Sequence, residues 1–134
     1  GLELRETKTS SSRDYVNLVT LRGSVSGRPV HVAGTLTGQR GEARIVGIED
    51  HSIEVPPSSH MIVVRNEDVP GIIGRVGTIL GAAGVNIEDM RVGKSPSGEA
   101  ALMALTTSTP VPPDVVDALR AERGVADAKA IELD

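Results

Sequence analysis

A polar stretch, Asn66–Gly71, lies between an apolar segment and a helical pattern, and its groups could bind a small amino acid. A free amino acid carries an ammonium and a carboxylate. Asp68 can accept hydrogen bonds from the ammonium, and the backbone N–H groups near Gly71 and Ile72, at a helix N-terminus, can bind the carboxylate. Gly71 lets a ligand approach the backbone closely, and Asn66 can both donate and accept hydrogen bonds.

The same residues also have structural interpretations, and the sequence leaves both open. Asp68 is of a type that caps helices, and it could do only that. Asn66 could be an ordinary polar residue at the end of a strand. Pro70 and Gly71 shape the corner whether or not it binds a ligand.

Composition argues against several other classes of function. The net charge is −4, with one Tyr and no Phe or Trp, so neither a basic face nor stacking platforms for nucleic acid are expected. There is no Cys, which excludes disulfides, Cys-based zinc sites and a thiol nucleophile. His31, His51 and His60 share no metal-ligand spacing, so no metal is expected.

The chain has no apolar run near the ~20 residues of a membrane span, and no signal peptide is visible. We therefore expect a cytoplasmic protein without membrane partners. The sequence begins at Gly1 rather than Met, which suggests a piece of a longer protein whose first domain could be incomplete.

Residues 1–57 contain five strand-like segments separated by turn signals. The segments are Leu2–Arg5, Tyr15–Leu21, Val30–Leu36, Ala43–Ile48 and Ser52–Val55. The stretches between them, including Thr7–Asp14, Gly23–Pro29 and Gly38–Gly41, are predicted to be loops. Residues 56–59 then break the pattern, so we place the boundary between a mainly antiparallel β domain, 1–57, and a second domain, 58–134.

The sequence pattern of the second domain predicts the order β-α-β-β-α-β. Its strands are expected at His60–Arg65, Val85–Gly93, Ala100–Thr106 and Val125–Leu133, with a turn at Lys94–Gly98. Pro70 is expected to open the first helix, and Gly84 to cap its C-terminus. The expected buried face of this helix comprises Ile72, Ile73, Val76, Ile79, Leu80 and Ala83.

Proline and glycine delimit the second helix of this domain as well. Pro112 and Pro113 are expected to open it, with Val115, Val116 and Leu119 buried, and Gly124 is expected to end it. In the first helix, Gly74, Gly77 and Gly81 predict close approach of the helix to a neighbour, since each costs roughly 1 kcal/mol relative to Ala. The whole is an α+β arrangement of ferredoxin-like type.

With that order, residues 58–134 resemble an ACT domain, through Arg65–Gly74, Gly84–Ile87 and Gly124-Val125. Together with Arg13–Val19 and Val32–Leu36, the chain is similar to the C-terminal regulatory region of long-type bacterial D-3-phosphoglycerate dehydrogenases. In those enzymes a β-rich domain lies between the catalytic core and the ACT domain.

The resemblance implies an NAD-dependent parent enzyme that catalyses the first step of L-serine biosynthesis and that L-serine inhibits. It also implies that Asn86 contacts the effector from a second subunit, although Asn86 could simply satisfy backbone groups at a turn. The implied effector set is Asn66, Asp68, Pro70, Gly71, Ile72 and Asn86. The chain has no Gly-x-Gly-x-x-Gly phosphate loop, so no cofactor and no dehydrogenase activity are expected in this piece.

In the resembling enzymes the β-rich domain can bind an anion, and Arg side chains suit bidentate phosphate contacts. The candidate residues are Arg5, Lys8, Arg13, Arg22, Arg40 and Arg44. The alternative for each of them is an ordinary solvated surface charge.

Three functions therefore compete. The first is a sensor that binds L-serine at an interface between two copies and reports to attached catalytic domains. The second is an oligomerisation module with a degenerate ligand site. The third, a small hydrolase of acylphosphatase type, is disfavoured because residues 60–134 contain no evident acid/base pair or Arg phosphate cradle.

Overall fold

The computed structural model describes the backbone of residues 3–9, 18–25, 28–37, 39–49 and 51–132, and the side chains of 31–36, 39–49 and 51–132. The chain divides into two compact units, Gly1–Pro57 and Ser58–Asp134. The division falls in the Pro-containing segment after the last strand of the first unit. Within the described residues, neither helix has the length or apolar character needed to cross a membrane.

The first unit is an antiparallel sheet whose five strands follow one another in chain order. They are β1 (Glu3–Thr9), β2 (Leu18–Val25), β3 (Arg28–Thr37), β4 (Glu42–Ile48) and β5 (His51–Val55). Such a meander needs only short connections between neighbouring strands. In β5, His51, Ile53 and Val55 are buried and the residues between them are exposed, the period of two typical of a strand with one covered face.

The strands of this unit are longer than the sequence pattern indicates. Thr7–Thr9, predicted as loop, belong to β1, where they pair with Thr20, Val19 and Leu18 of β2. The predicted connection at 23–29 is also wrong at both ends, because 23–25 lie in β2 and 28–29 in β3. Ladder hydrogen bonds come from the backbone, so polar and Gly residues can extend a strand that hydrophobic alternation alone would end. The predicted loop at 10–14 and Tyr15 to Asn17 lie outside the described residues.

The second unit has the βαββαβ order that the sequence predicts. Its elements are β6 (His60–Glu67), α1 (Ile72–Ala82), β7 (Ile87–Lys94), β8 (Ala100–Thr107), α2 (Pro113–Ala121) and β9 (Val125–Glu132). The sheet order is β7-β8-β6-β9, with every neighbouring pair antiparallel. The ferredoxin-like α+β fold is therefore confirmed.

A single apolar core joins the two helices to the sheet. Its buried members are Ile62, Val64, Ile72, Val76, Leu80, Val85, Met103, Leu105, Val111, Val115, Val116, Leu119 and Ala128. The two central strands, β6 and β8, supply aliphatic residues, and no aromatic residue is among them. This core fixes both helices against the sheet and so determines where the corner between β6 and α1 lies.

Helix α1 begins later than predicted. Its N-cap is Gly71, with φ of 85°, so Gly71 is left-handed and the helix cannot include Pro70. The predicted burial is also wrong for two residues of this face: Ile73 is 45% exposed, and Ala83 is the exposed C-cap. The core-facing stripe is narrower, with Ile72, Val76 and Leu80 buried and Ile79 packed against them.

Gly84 ends α1 as predicted. It has φ of 74°, and its N–H donates to the Gly81 carbonyl at 3.0 Å while the Val85 N–H donates to the Leu80 carbonyl at 3.0 Å. This pair of bonds is the Schellman motif, which satisfies carbonyls that the helix itself leaves without partners. Buried Val85 then leads the chain back to the sheet.

Helix α2 has Pro112 as its N-cap and Pro113 as its first residue, close to the prediction. Val115, Val116 and Leu119 are buried as expected. The helix ends at Ala121, three residues before Gly124, which is a shorter helix than predicted.

Candidate functional site

The corner between β6 and α1 consists of residues 68–71, after Glu67 and before Ile72. The Gly71 carbonyl accepts the N–H of Arg75 at 3.1 Å, the first bond of the helix. No side chain caps α1, and no acidic residue lies in its first turn. The first N–H groups of α1 therefore present a positive helix end without a negative side chain of the helix itself.

Asp68 does not cap α1, so its capping interpretation is wrong. Its Oδ2 lies 2.8 Å from Nζ of Lys94, the last residue of β7. The hydrogen bond to Asp68 and the charge attraction between the two groups raise the pKa of Lys94, against a smaller effect of desolvation. Asp68 is thus a carboxylate that already holds an ammonium group.

Lys94 is predicted to begin a turn without a functional role, but it is the last residue of β7. The predicted βαββαβ order could have placed Lys94 near Asp68, through the directions of the strands. Because β6 and β7 each run antiparallel to β8, they run in the same direction, and their C-terminal residues lie at the same end of the sheet. A charged residue ending β7 therefore lies near the polar residues that follow β6.

Asn66 is buried, with 2% of its surface exposed. Its Nδ2 donates to the Glu67 carbonyl at 2.7 Å, while its Oδ1 is buried and accepts no hydrogen bond in the described part of the chain. An unsatisfied buried acceptor costs about 1–3 kcal/mol. In this conformation Asn66 shapes the corner, and its Oδ1 would contact a ligand only after a side-chain rotation.

The other corner residues have distinct positions. Pro70 and Gly71 are exposed. The Ile72 side chain is 4% exposed and belongs to the core, so only its backbone N–H is a candidate ligand contact. Val69 is 41% exposed, which adds an apolar surface beside Asp68.

Arg75 fixes the corner to the segment after α2. Its Nη2 donates to the Arg123 carbonyl at 3.3 Å, and its Nε lies 3.1 Å from Oε1 of Glu122, an ion pair without an aligned hydrogen bond. The Glu67 N–H donates to the Gly124 carbonyl at 2.8 Å. Sequence reasoning missed this anchor, because it joins residues about 48 positions apart.

Asn86 does not meet Asp68 within one chain. Asn86 precedes β7, whereas Asp68 follows β6, and the two strands run in the same direction. Eight residues of β7 separate the two ends of the sheet, which is roughly 25 Å at the usual rise of a strand. Asn86 is exposed, and its carbonyl accepts the N–H of Ser108 at 3.1 Å.

The outer face of α1 is open in the described structure. A Cβ added at Gly74, Gly77 or Gly81 would meet nothing within 4 Å. Nothing among the described residues approaches these three glycines, so the close approach predicted from them stays a prediction. The face is accessible to a molecule from outside.

The structure describes only the backbone positions of three candidate anion-binding residues of the first unit. Arg5 and Lys8 lie on β1 and Arg22 on β2, and the register pairs Arg5 with Arg22. Arg13 lies outside the described residues.

Two further candidates of the first unit have described side chains. Arg40 is exposed in the turn before β4. Arg44 Nη2 is 3.2 Å from Oε2 of Glu42, so this guanidinium already pairs with a carboxylate.

Comparison with known proteins supports the domain identity. Residues 60–124 match the family model for the ACT domain. Nearly the whole chain, 99%, is similar to proteins named D-3-phosphoglycerate dehydrogenase: 34% identical over 133 residues in Synechocystis sp. and 35% over 135 residues in Archaeoglobus fulgidus. The Mycobacterium leprae protein of the same name is 34% identical over 134 residues.

The chain spans about a quarter of the length of these relatives. The family match and the βαββαβ fold agree on the same part of the chain. Residues 60–124 of this chain are an ACT domain, within a region similar to part of the D-3-phosphoglycerate dehydrogenases.

Proposed function

We propose that this chain is the regulatory region of an NAD-dependent D-3-phosphoglycerate dehydrogenase, and that it binds L-serine between two copies of its ACT domain for feedback inhibition. The parent enzyme would carry out the first step of L-serine synthesis in the cytoplasm. Its NAD site would lie in the catalytic domains, since this sequence has no Gly-x-Gly-x-x-Gly loop. The names and the partial coverage of the relatives support this part of the proposal.

One observation carries the binding proposal: Asp68 lies beside an α1 N-terminus that has no capping side chain and no acid in its first turn. L-serine needs an anion for its ammonium and N–H donors for its carboxylate. Asp68 supplies the first, and the N–H groups of Ile72 and Ile73 supply the second. Pro70 and Gly71 hold the two groups at one corner.

The opposite placement of Asn86 argues for a second copy. If β7, an edge strand, pairs antiparallel with β7 of another copy about a twofold axis, the start of one β7 lies beside the end of the other. Asn86 of the second copy would then approach the Asp68 corner of the first. The same pairing would cover Val92 of β7, which is 43% exposed. A monomer would hold only half of the site.

Calorimetric titration of the chain with L-serine tests the proposal. We expect millimolar or tighter binding by the wild type and none by Asp68→Asn, which removes the charge but keeps the shape. Asp117→Asn is a matched control, because it also removes a carboxylate from an exposed ion pair, Asp117–Arg120 at 3.4 Å on α2. Its affinity for serine should be that of the wild type.

Unchanged affinity of Asp68→Asn would overturn the site assignment. In the full-length enzyme, the same change should remove inhibition by serine and leave the uninhibited rate unaltered. Sedimentation should show a dimer that serine stabilises, since each ligand would contact both copies.

An oligomerisation module with a degenerate site is the second candidate. Two observations favour it: Lys94 already pairs with Asp68, and Asn66 Oδ1 is buried. It predicts a dimer that gives no heat of binding and no thermal stabilisation with millimolar serine. The same titration therefore distinguishes the two functions.

A further inference from the structure

Lys94 places a tethered ammonium on the carboxylate that the proposed function assigns to the ligand. Its Nζ lies 2.8 Å from Oδ2 of Asp68, with side chains 68% and 36% exposed. A free amino acid would offer the same chemical group to the same oxygen atoms. Two ammonium groups on one carboxylate repel each other, so binding of the ligand opposes the Lys94 contact.

The position of Lys94 makes this contact persistent but reversible. It is the last residue of β7, so its backbone is fixed by the pairing with Ala101 of β8. A fixed backbone keeps the ammonium at high local concentration near Asp68. The exposure of both side chains makes the pair a weak surface ion pair, and the flexible Lys stem can swing into water when a ligand arrives.

We propose that Lys94 is an internal competitor for the ligand's ammonium at Asp68, and that it thereby sets the concentration of ligand that the ACT domain detects. This inference rests on the proposed function of the corner. Lys94 acts only on affinity: it occupies Asp68 in the free chain and leaves it in the complex.

A direct contact between Lys94 and the ligand's carboxylate is the alternative arrangement. The uncapped N-terminus of α1 already offers the carboxylate donors from the backbone. The two arrangements predict opposite effects of removing the charge. They can therefore be separated by measurement.

The test compares Lys94→Met with Arg123→Met. Arg123 is an exposed residue after α2, outside the strand that the proposed dimer pairs, and it joins the Arg75 anchor only through its backbone carbonyl, which Met keeps. It therefore controls for loss of a positive charge. Titration with L-serine should give a dissociation constant about 2- to 5-fold lower for Lys94→Met, the range expected for an exposed ion pair. Arg123→Met should bind serine as the wild type does, and thermal unfolding should show all three proteins folded.

An unchanged or higher dissociation constant for Lys94→Met, with the wild type binding serine, would overturn this inference and leave the proposed function standing. Weaker serine binding by Lys94→Met would mean that Lys94 binds the ligand's carboxylate. In that case ethanolamine, which has an ammonium but no carboxylate, would bind Lys94→Met as tightly as it binds the wild type. Absence of serine binding by the wild type and by Lys94→Met would overturn the proposed function and this inference with it. Tighter binding by Arg123→Met as well would assign the effect to net charge and also overturn the inference.

Discussion

The two helices of the ACT domain begin differently although one core holds both. Helix α2 starts from Pro112 and has Asp114 in its first turn, so its own side chain places negative charge at the N-terminus. Helix α1 starts from Gly71 in a left-handed conformation, with no acidic residue in its first turn. Neither has a capping side chain.

Under the proposed function, this difference explains why a ligand would bind at the start of α1 rather than at the start of α2. A negative charge near a helix N-terminus is worth about 0.3–1 kcal/mol at the surface. Helix α2 obtains it from within, whereas α1 leaves that stabilisation to be supplied by another anion, such as a ligand carboxylate. The two helix ends therefore differ in whether the helix itself supplies a negative charge to its N-terminus.

We expect the largest effect from substitutions in the core, and we expect it to be similar for both helices because the same core anchors them. Leu80 of α1 and Leu119 of α2 are both 0% exposed. Replacing either by Ala should lower the free energy of unfolding by about 2–5 kcal/mol, through lost burial and a residual cavity. Urea denaturation measures both, and a loss below about 1 kcal/mol at either site would mean that this helix is not held by the core.

A second prediction concerns two glycines at the start of α1. Gly71→Ala should destabilise the chain by about 1–2 kcal/mol, because Ala is strained in the left-handed region. The added Cβ would also lie 3.4 Å from Arg75 Nη1. Gly74→Ala, inside the helix with open space around it, should instead stabilise by about 0.5–1 kcal/mol. Thermal unfolding of the pair gives the signs, and equal signs would contradict the N-cap position.

A third prediction concerns a substitution that gives α1 an acidic residue in its first turn, as α2 already has. Gly74→Glu puts an acid in the first turn, and it should raise the free energy of unfolding by about 1 kcal/mol through propensity and charge. The same carboxylate should weaken serine binding by about 10-fold, since it repels the ligand's carboxylate. Gly74→Ala is the control that keeps the neutral first turn, and it should bind serine normally. Tight serine binding by Gly74→Glu would place the ligand's carboxylate elsewhere.

The smallest expected effect is at α2. Asp114→Asn should lower the free energy of unfolding by about 0.3–1 kcal/mol, and the loss should shrink at high salt. Serine binding should not change. An altered serine affinity would show that the two helix ends are not independent.

The sequence predicts the second unit well where local chemistry decides the structure. The Schellman motif at Gly84 and the buried stripe of α2 follow from residue types and the period of 3.6 residues. The start of α1 does not follow, because Pro70 is also a favourable first residue and only the backbone conformation of Gly71 excludes it. Ile73 lies at the margin of the stripe, where a small rotation of the helix decides exposure, whereas Ala83 is exposed because the helix ends before it and leaves it as the C-cap.

The candidate site is only partly predictable, for a different reason. Asp68 and Gly71 stand together in the chain, so their joint position at one corner follows from the strand-to-helix order. The Asp68–Lys94 pair and the Arg75 anchor depend on which strands and loops become neighbours, which residue types alone do not reveal. The burial of Asn66 likewise follows from the packing of the sheet end rather than from its own type.

A crystal structure of this chain grown with L-serine would show whether the Asp68 corner binds the ligand. We expect a dimer with serine between the two copies, its ammonium on Asp68, its carboxylate at the N–H groups of Ile72 and Ile73, and Asn86 of the second copy in contact. Serine bound away from the Asp68 corner, or a dimer that leaves this corner empty at saturating serine, would contradict it.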